Sequence, residues 1–151
     1  GIVTREVIVS KNFRKYVFLH ILHEEYENIC AHSSAFDYRH DWYDVLRTSP
    51  LAVEHELIFP HEHEAIQKNS YSTLQSVDCV LAEVSYPSLG LGIELGWANS
   101  LQKPLYCLYT SDSRLSPSAA NIATDCAAYN SKEELIYLIS QFISHEMNHA
   151  Q

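Results

Sequence analysis

Residues Asp78–Tyr109 read DCVLAEVSYPSLGLGIELGWANSLQKPLYCLY, and this stretch decides the fold. The apolar run Cys79-Val80-Leu81-Ala82, continued by Val84, has the composition of a strand buried on both faces. Pro87, Gly90 and Gly92 break the run within a few residues. Leu95, Ala98 and Leu101 then recur on one side of a helix, which Lys103-Pro104 stops. Leu105–Tyr109 reads as a second buried strand. Strand, glycine loop, helix and strand form a βαβ unit, which calls for a parallel sheet with a right-handed crossover.

Chemistry gathers at the loop. Gly90 and Gly92 allow backbone to approach a ligand closely, and helix N-terminal N–H groups attract anions. This reading places Glu94 in the first helical turn, at the carboxyl end of a strand, where α/β sheets bind ligands. Two roles fit an ionised Glu94 there. It is a carboxylate nucleophile, or it is an ordinary first-turn acid that complements the helix dipole.

Outward from this unit, 151 residues with 46% hydrophobic content imply one domain, 1–151, with a real core. The mean hydropathy is −0.17, no run approaches the ~20 apolar residues of a membrane helix, and no secretory signal is visible. A cytoplasmic protein is therefore expected. A net charge of −9 argues against polymeric nucleic acid as a partner. A single nucleotide needs only one local anion pocket. Cys30, Cys79, Cys107 and Cys126 are widely separated and make no CxxC, so they read as reduced thiols packed as small hydrophobes.

Upstream, Glu6–Val9 reads as a first strand, followed by a loop in which Ser10 or Asn12 caps a helix from Phe13 to about Ala31. His20, His23 and Glu24 share a face of that helix, but structural metal sites usually need four convergent ligands, so a polar face is the better reading. A short strand is expected near Ala35–Tyr38. Trp42 reads as a core or interface residue, or as a roof stacked on a base. His61 and His63 are two apart rather than the four of a zinc helix, so His61–Glu64 reads as the exposed start of a helix ending near Val77. No metal or cofactor is implied. Near the C-terminus, Ser131 and Glu134 match a capping box. Leu135, Leu138, Ile139 and Phe142 continue a helix to about Ser144, with His145–Gln151 as a polar tail.

The string PSLGLGIELGWA, Pro87 to Ala98, is more specific than a lone GxG. It resembles the nucleoside 2-deoxyribosyltransferase superfamily, and within it the 2′-deoxynucleoside 5′-phosphate N-hydrolase branch. The likeness is dense from Asp78 to about Ser118. The resemblance implies a three-layer α/β sandwich with a central, mostly parallel five-stranded sheet, flavodoxin- or Rossmann-like. It implies that Glu94 attacks the anomeric carbon to form a covalent glycosyl intermediate. It also implies a homodimer whose pocket is completed by the neighbouring subunit. The family's first βα loop carries a phosphate- or base-binding arginine, and Phe13-Arg14 is the matching pair here, without the family's glycines. Ser88 and Ser118 match two phosphate-contacting serines, and hydroxyls donate where a carboxylate would repel. The family's acidic Asp, eight residues before the Asp of the central strand, is replaced by Ser70, and Ser is no general acid. Glu83, Asp112, Glu62 and Glu64 are the other acids within reach of the argument. The expected reaction is release of base and deoxyribose 5-phosphate from a 2′-deoxynucleoside 5′-monophosphate. Base exchange between nucleosides, and nucleotide binding without turnover, are the alternatives.

Overall fold

The computed structural model describes residues 14–19, 43–59, 70–86 and 88–149. The elements in chain order are β1 (Lys15–Leu19), α1 (Val45–Arg47), α2 (Leu51–Glu54), β2 (Glu56–Ile58), α3 (Ser70–Ser76) and β3 (Cys79–Glu83). They continue with α4 (Leu89–Ser100), β4 (Leu105–Thr110), α5 (Pro117–Ile122), β5 (Asp125–Tyr129) and α6 (Lys132–His149). Five strands form one sheet in the order β2-β1-β3-β4-β5, and every pairing is parallel. This is the flavodoxin-like order, and the expected α/β fold is present.

Side-chain alternation along the strands sorts the core into two layers. Tyr16, Phe18, Cys79, Leu81, Tyr106 and Leu108 face one side, against Leu46 of α1, Leu51 of α2 and Leu135, Ile139, Phe142 and Ile143 of α6. Val17, Leu19, Val80, Ala82, Leu105 and Cys107 face the other, against Leu74 of α3, Leu91, Leu95 and Ala98 of α4 and Ala119 of α5. Cys79 and Cys107 are buried free thiols and Cys126 is half-buried and free, while Cys30 lies outside the described residues.

Three readings need correction. The helix expected from Phe13 onward is a strand at Lys15–Leu19. Tyr16 to Leu19 are all fully buried, two on each face, and such a run satisfies helical and extended spacing alike. The glycine loop before α4 is shorter than expected, because the helix already starts at Leu89. The C-terminal helix does not stop near Ser144. It runs through His149, and Glu146 on it is 7% exposed. Its start uses a displaced capping box: Glu134 N–H donates to Ser131 Oγ at 3.1 Å, while Glu134 Oε2 accepts from Asn130 N–H at 3.1 Å. The strands expected at Glu6–Val9 and Ala35–Tyr38, the caps Ser10 and Asn12, Trp42 and the histidine-rich runs lie outside the described residues.

The amino end of the sheet is tied together by three side chains, those of Asp78, Lys103 and Thr124. Asp78 Oδ2 accepts from Lys15 N–H at 2.8 Å, and Asp78 Oδ1 lies 3.6 Å from Arg14 Nη1. Lys103 Nζ donates to Gln75 O at 3.1 Å and Val77 O at 2.9 Å, closing the end of α3. Thr124 Oγ1 accepts from Leu105 N–H at 3.0 Å. Lys103 reaches α3 because α4 ends in a Schellman turn. Lys103 N–H bonds Ala98 O, Gln102 N–H bonds Asn99 O, and Gln102 takes the left-handed conformation at φ 56.

Candidate active site

Strand order reverses between β1 and β3, and ligands in such sheets bind outside the carboxyl ends of the strands at that crevice. The segment leaving β3 there is Val84–Ser88. Val84 N–H still donates to Leu108 O at 2.8 Å. Ser88 has extended backbone, and its hydroxyl accepts from Leu91 N–H at 3.2 Å, so it is the N-cap of α4. Gly90 and Gly92 follow inside the helix, and no glycine among the described residues has positive φ. A Cβ on Gly92 would meet nothing within 4 Å, so close packing within this chain does not require glycine there.

Glu94 lies in the second turn of α4 rather than the first, so the expected dipole argument does not apply to it. It shares the buried side of the helix with Leu91, Leu95 and Ala98 and is 4% exposed. A carboxylate at an inward helical position costs desolvation that an apolar side chain would avoid.

Other residues reach the same carboxyl edge. Ser118 is the second residue of α5, exposed, beyond the end of β4. Asp112 lies in the exposed turn just after Thr110. Ser70 is the first described residue of α3 and is half-buried. Helix α3 runs back toward the amino end of β3, so Ser70 lies on its carboxyl-edge side. Tyr71, next to it, packs edge-on against Trp97 of α4 at 5.6 Å between ring centroids.

Arg14 is not part of this group. It immediately precedes β1, and β1 pairs in parallel with β3 through Tyr16 opposite Cys79. Arg14 therefore sits at the amino edge beside Asp78, across the length of a five-residue strand, or roughly 15 Å of sheet, from the Ser88 loop. Once β1 is placed correctly, the first βα loop begins after Leu19, outside the described residues, as does Phe13.

One cluster escaped the motif reading. Glu83 ends β3 and is 3% exposed. Its Oε1 accepts from Ser85 N–H at 2.6 Å, and its Oε2 accepts from the hydroxyl of Tyr129, the buried last residue of β5. Ser85 Oγ accepts from Thr110 N–H at 2.8 Å and meets Thr110 Oγ1 at 3.3 Å. Burial pushes the Glu83 carboxyl above the usual carboxylate range, opposed by the bonds from Ser85 and Tyr129. The available signal was an acid closing an otherwise apolar strand. Nothing in the sequence links it to Tyr129, which is 46 residues away.

A cleft of about 700 Å³ opens at the opposite end of the sheet, lined by Asn99, Gln102, Lys103, Tyr106, Thr124 and Glu146 among others. It is remote from Glu94. Burial raises the Glu146 carboxyl, Arg14 opposes that shift, and Asp78 adds to it.

A family model described as nucleoside 2-deoxyribosyltransferase matches residues 15–142. The rat protein named 5-hydroxymethyl-dUMP N-hydrolase is 48% identical over 48 residues, which cover 32% of this chain and 29% of that protein. The aligned stretch thus spans under a third of that relative's length. Among solved structures, the Clostridium botulinum CMP N-glycosidase superposes with a TM-score of 0.56 at 18% identity, covering 83% of this chain and 98% of that one. A conserved protein from Enterococcus faecalis superposes with a TM-score of 0.61 at 18% identity, covering 85% and 98%. At such identities these structures speak to the fold.

Proposed function

The chain belongs to the nucleoside 2-deoxyribosyltransferase family, and on that premise we propose that it cleaves the N-glycosidic bond of 2′-deoxynucleoside 5′-monophosphates. The observation that carries this reading is the buried carboxylate of Glu94, held in a helix that Ser88 caps at the switch point of the sheet. The names of relatives such as the rat hydrolase support a nucleotide substrate.

In the proposed reaction a Glu94 oxygen attacks C1′ and the base departs with the electron pair of the glycosidic bond. The product is a glycosyl ester on Glu94. The base takes up a proton from solvent; water then attacks C1′ and gives up a proton to solvent, deoxyribose 5-phosphate leaves, and the carboxylate is restored, as in a retaining glycosidase. Ser88 and Ser118 donate hydrogen bonds to the 5′-phosphate, and the helical backbone from Leu89 through Gly92 lines the sugar side. Ser70 contacts sugar or base without supplying a proton. Arg14 has no place in this scheme, because it is fixed at the other edge. The proposed protein is a cytoplasmic homodimer. The outward face of α4 supports a second copy there: Leu89 is 79% and Ile93 47% exposed, and the space above Gly92 and Gly96 is open. No helix among the described residues is long and apolar enough to cross a membrane.

The experiment is a screen of the four deoxynucleoside monophosphates and their nucleosides for base release, with wild type and Glu94→Gln. Release by wild type that is lost in Glu94→Gln supports the reading, and equal activity of the two proteins removes Glu94 as nucleophile. Adding a second free base separates transfer from hydrolysis. Ser70 at the place of the family's acid favours one other outcome, nucleotide binding without turnover. In that case Glu94→Gln would bind as wild type does, and neither protein would release base.

A further inference from the structure

We infer that Glu83 is a positioning residue: its carboxyl group joins Tyr129 to the Ser85 backbone and thereby sets the loop that delivers Ser88 and Glu94. The inference rests on the glycosidase reading for its catalytic consequence, but its structural part stands alone. Glu83 is the last residue of β3, Thr110 the last of β4 and Tyr129 the last of β5. Three neighbouring strands therefore end in one hydrogen-bonded set. Glu83 bonds Tyr129 directly and Ser85 through its N–H, and Ser85 in turn accepts from Thr110. Ser88, the N-cap, follows Ser85 by three residues in the chain, so holding Ser85 limits where α4 can begin.

The same geometry argues against Glu83 as the proton donor for a leaving base. Both of its oxygens are engaged by protein groups, and the side chain is 3% exposed. It also belongs to the face of β3 that carries Cys79 and Leu81, toward α6, whereas Glu94 lies on the α4 face. An acid in this place acts through the backbone it holds.

The test compares Glu83→Ala, Glu83→Gln and Tyr129→Phe. Glutamine keeps one acceptor for Ser85 N–H and turns an N–H₂ toward the Tyr129 oxygen, so it can hold both partners. Misplacing a reacting group by about 1 Å costs about 100-fold in rate. Base release by Glu83→Ala is therefore expected to fall about 100-fold, with Glu83→Gln recovering to within about tenfold of wild type. Amide hydrogen exchange gives a readout that does not depend on catalysis. Glu83→Ala speeds exchange across 84–91 and leaves 135–143 unchanged, and Glu83→Gln restores it. If Glu83→Ala does not fold, Tyr129→Phe serves, with a smaller change in the same segment. Glutamine as inactive as alanine, wild-type activity in Glu83→Ala, or unchanged exchange at 84–91 each overturns the inference. If wild type releases no base at all, the glycosidase reading fails, and the exchange data still decide the role of Glu83.

Discussion

Ser88 offers a way to separate a residue's service to the fold from its service to a substrate. Its hydroxyl caps the 12-residue helix α4 by accepting from Leu91 N–H at 3.2 Å. Removing it in Ser88→Ala costs about 1 kcal/mol, or about 2–4 °C in Tm for a domain of this size. Ser88→Asp keeps an N-cap acceptor and adds a charge that the helix dipole favours, so its Tm should stay near wild type. Toward the proposed phosphate the two variants diverge. A carboxylate about 4 Å from a phosphate oxygen, at an effective dielectric near 20, opposes binding by about 4 kcal/mol. Ser88 is half-buried, and screening at a partly open rim halves this to about 2 kcal/mol, or about 30-fold in kcat/KM. The loss should fall on the monophosphate and spare the free nucleoside. The assay is base release from a matched nucleotide and nucleoside, with thermal melts alongside. Equal losses on both substrates, or no loss on the nucleotide, would refute the phosphate role and leave Ser88 as a cap alone.

Further outcomes follow from other contacts. Lys103→Met removes two charge-assisted bonds to the end of α3, one of them exposed, and should cost about 1–2 kcal/mol by denaturant unfolding. Glu146 is buried with its carboxyl raised above the unfolded value, so the native state holds its proton longer than the unfolded chain does. Its contribution to stability is therefore constant below the unfolded value and declines as pH rises through the folded one. Glu146→Gln should consequently gain on wild type in urea midpoint from pH 4 to pH 8, and a pH-independent difference would contradict this. Ile93→Glu places a charge on the open face of α4, where Ile93 is 47% exposed. It should shift the proposed dimer to monomer in sedimentation while leaving the melt of the fold nearly unchanged.

The central βαβ unit was legible because Cys79–Glu83 and Leu105–Leu108 are buried on both faces, and little but a parallel sheet buries such runs. The same property hid β1. In KYVFL every residue after Lys15 is buried, so spacing carries no information about which kind of element it is. That single error moved Arg14 from the amino edge, where Asp78 holds it, to an imagined loop at the other end. Ser88 was found because it lies inside a motif, whereas Tyr129 was missed because its partner Glu83 is distant in sequence. Glu146 was passed over as tail because an acid breaks an apolar stripe, yet it continues the spacing of Ile139, Phe142 and Ile143.

The fasteners at Asp78, Lys103 and Thr124 all sit beneath the strands, at the end remote from Glu94. They make that end a floor, stitched from β1 across to β5, with no comparable slack to release. Breathing motions that admit a ligand or let a product depart then fall to the rim above, where, among the described residues, Glu83, Ser85, Thr110 and Tyr129, with Ser111 and Asn130 beside them, join one strand tip to the next.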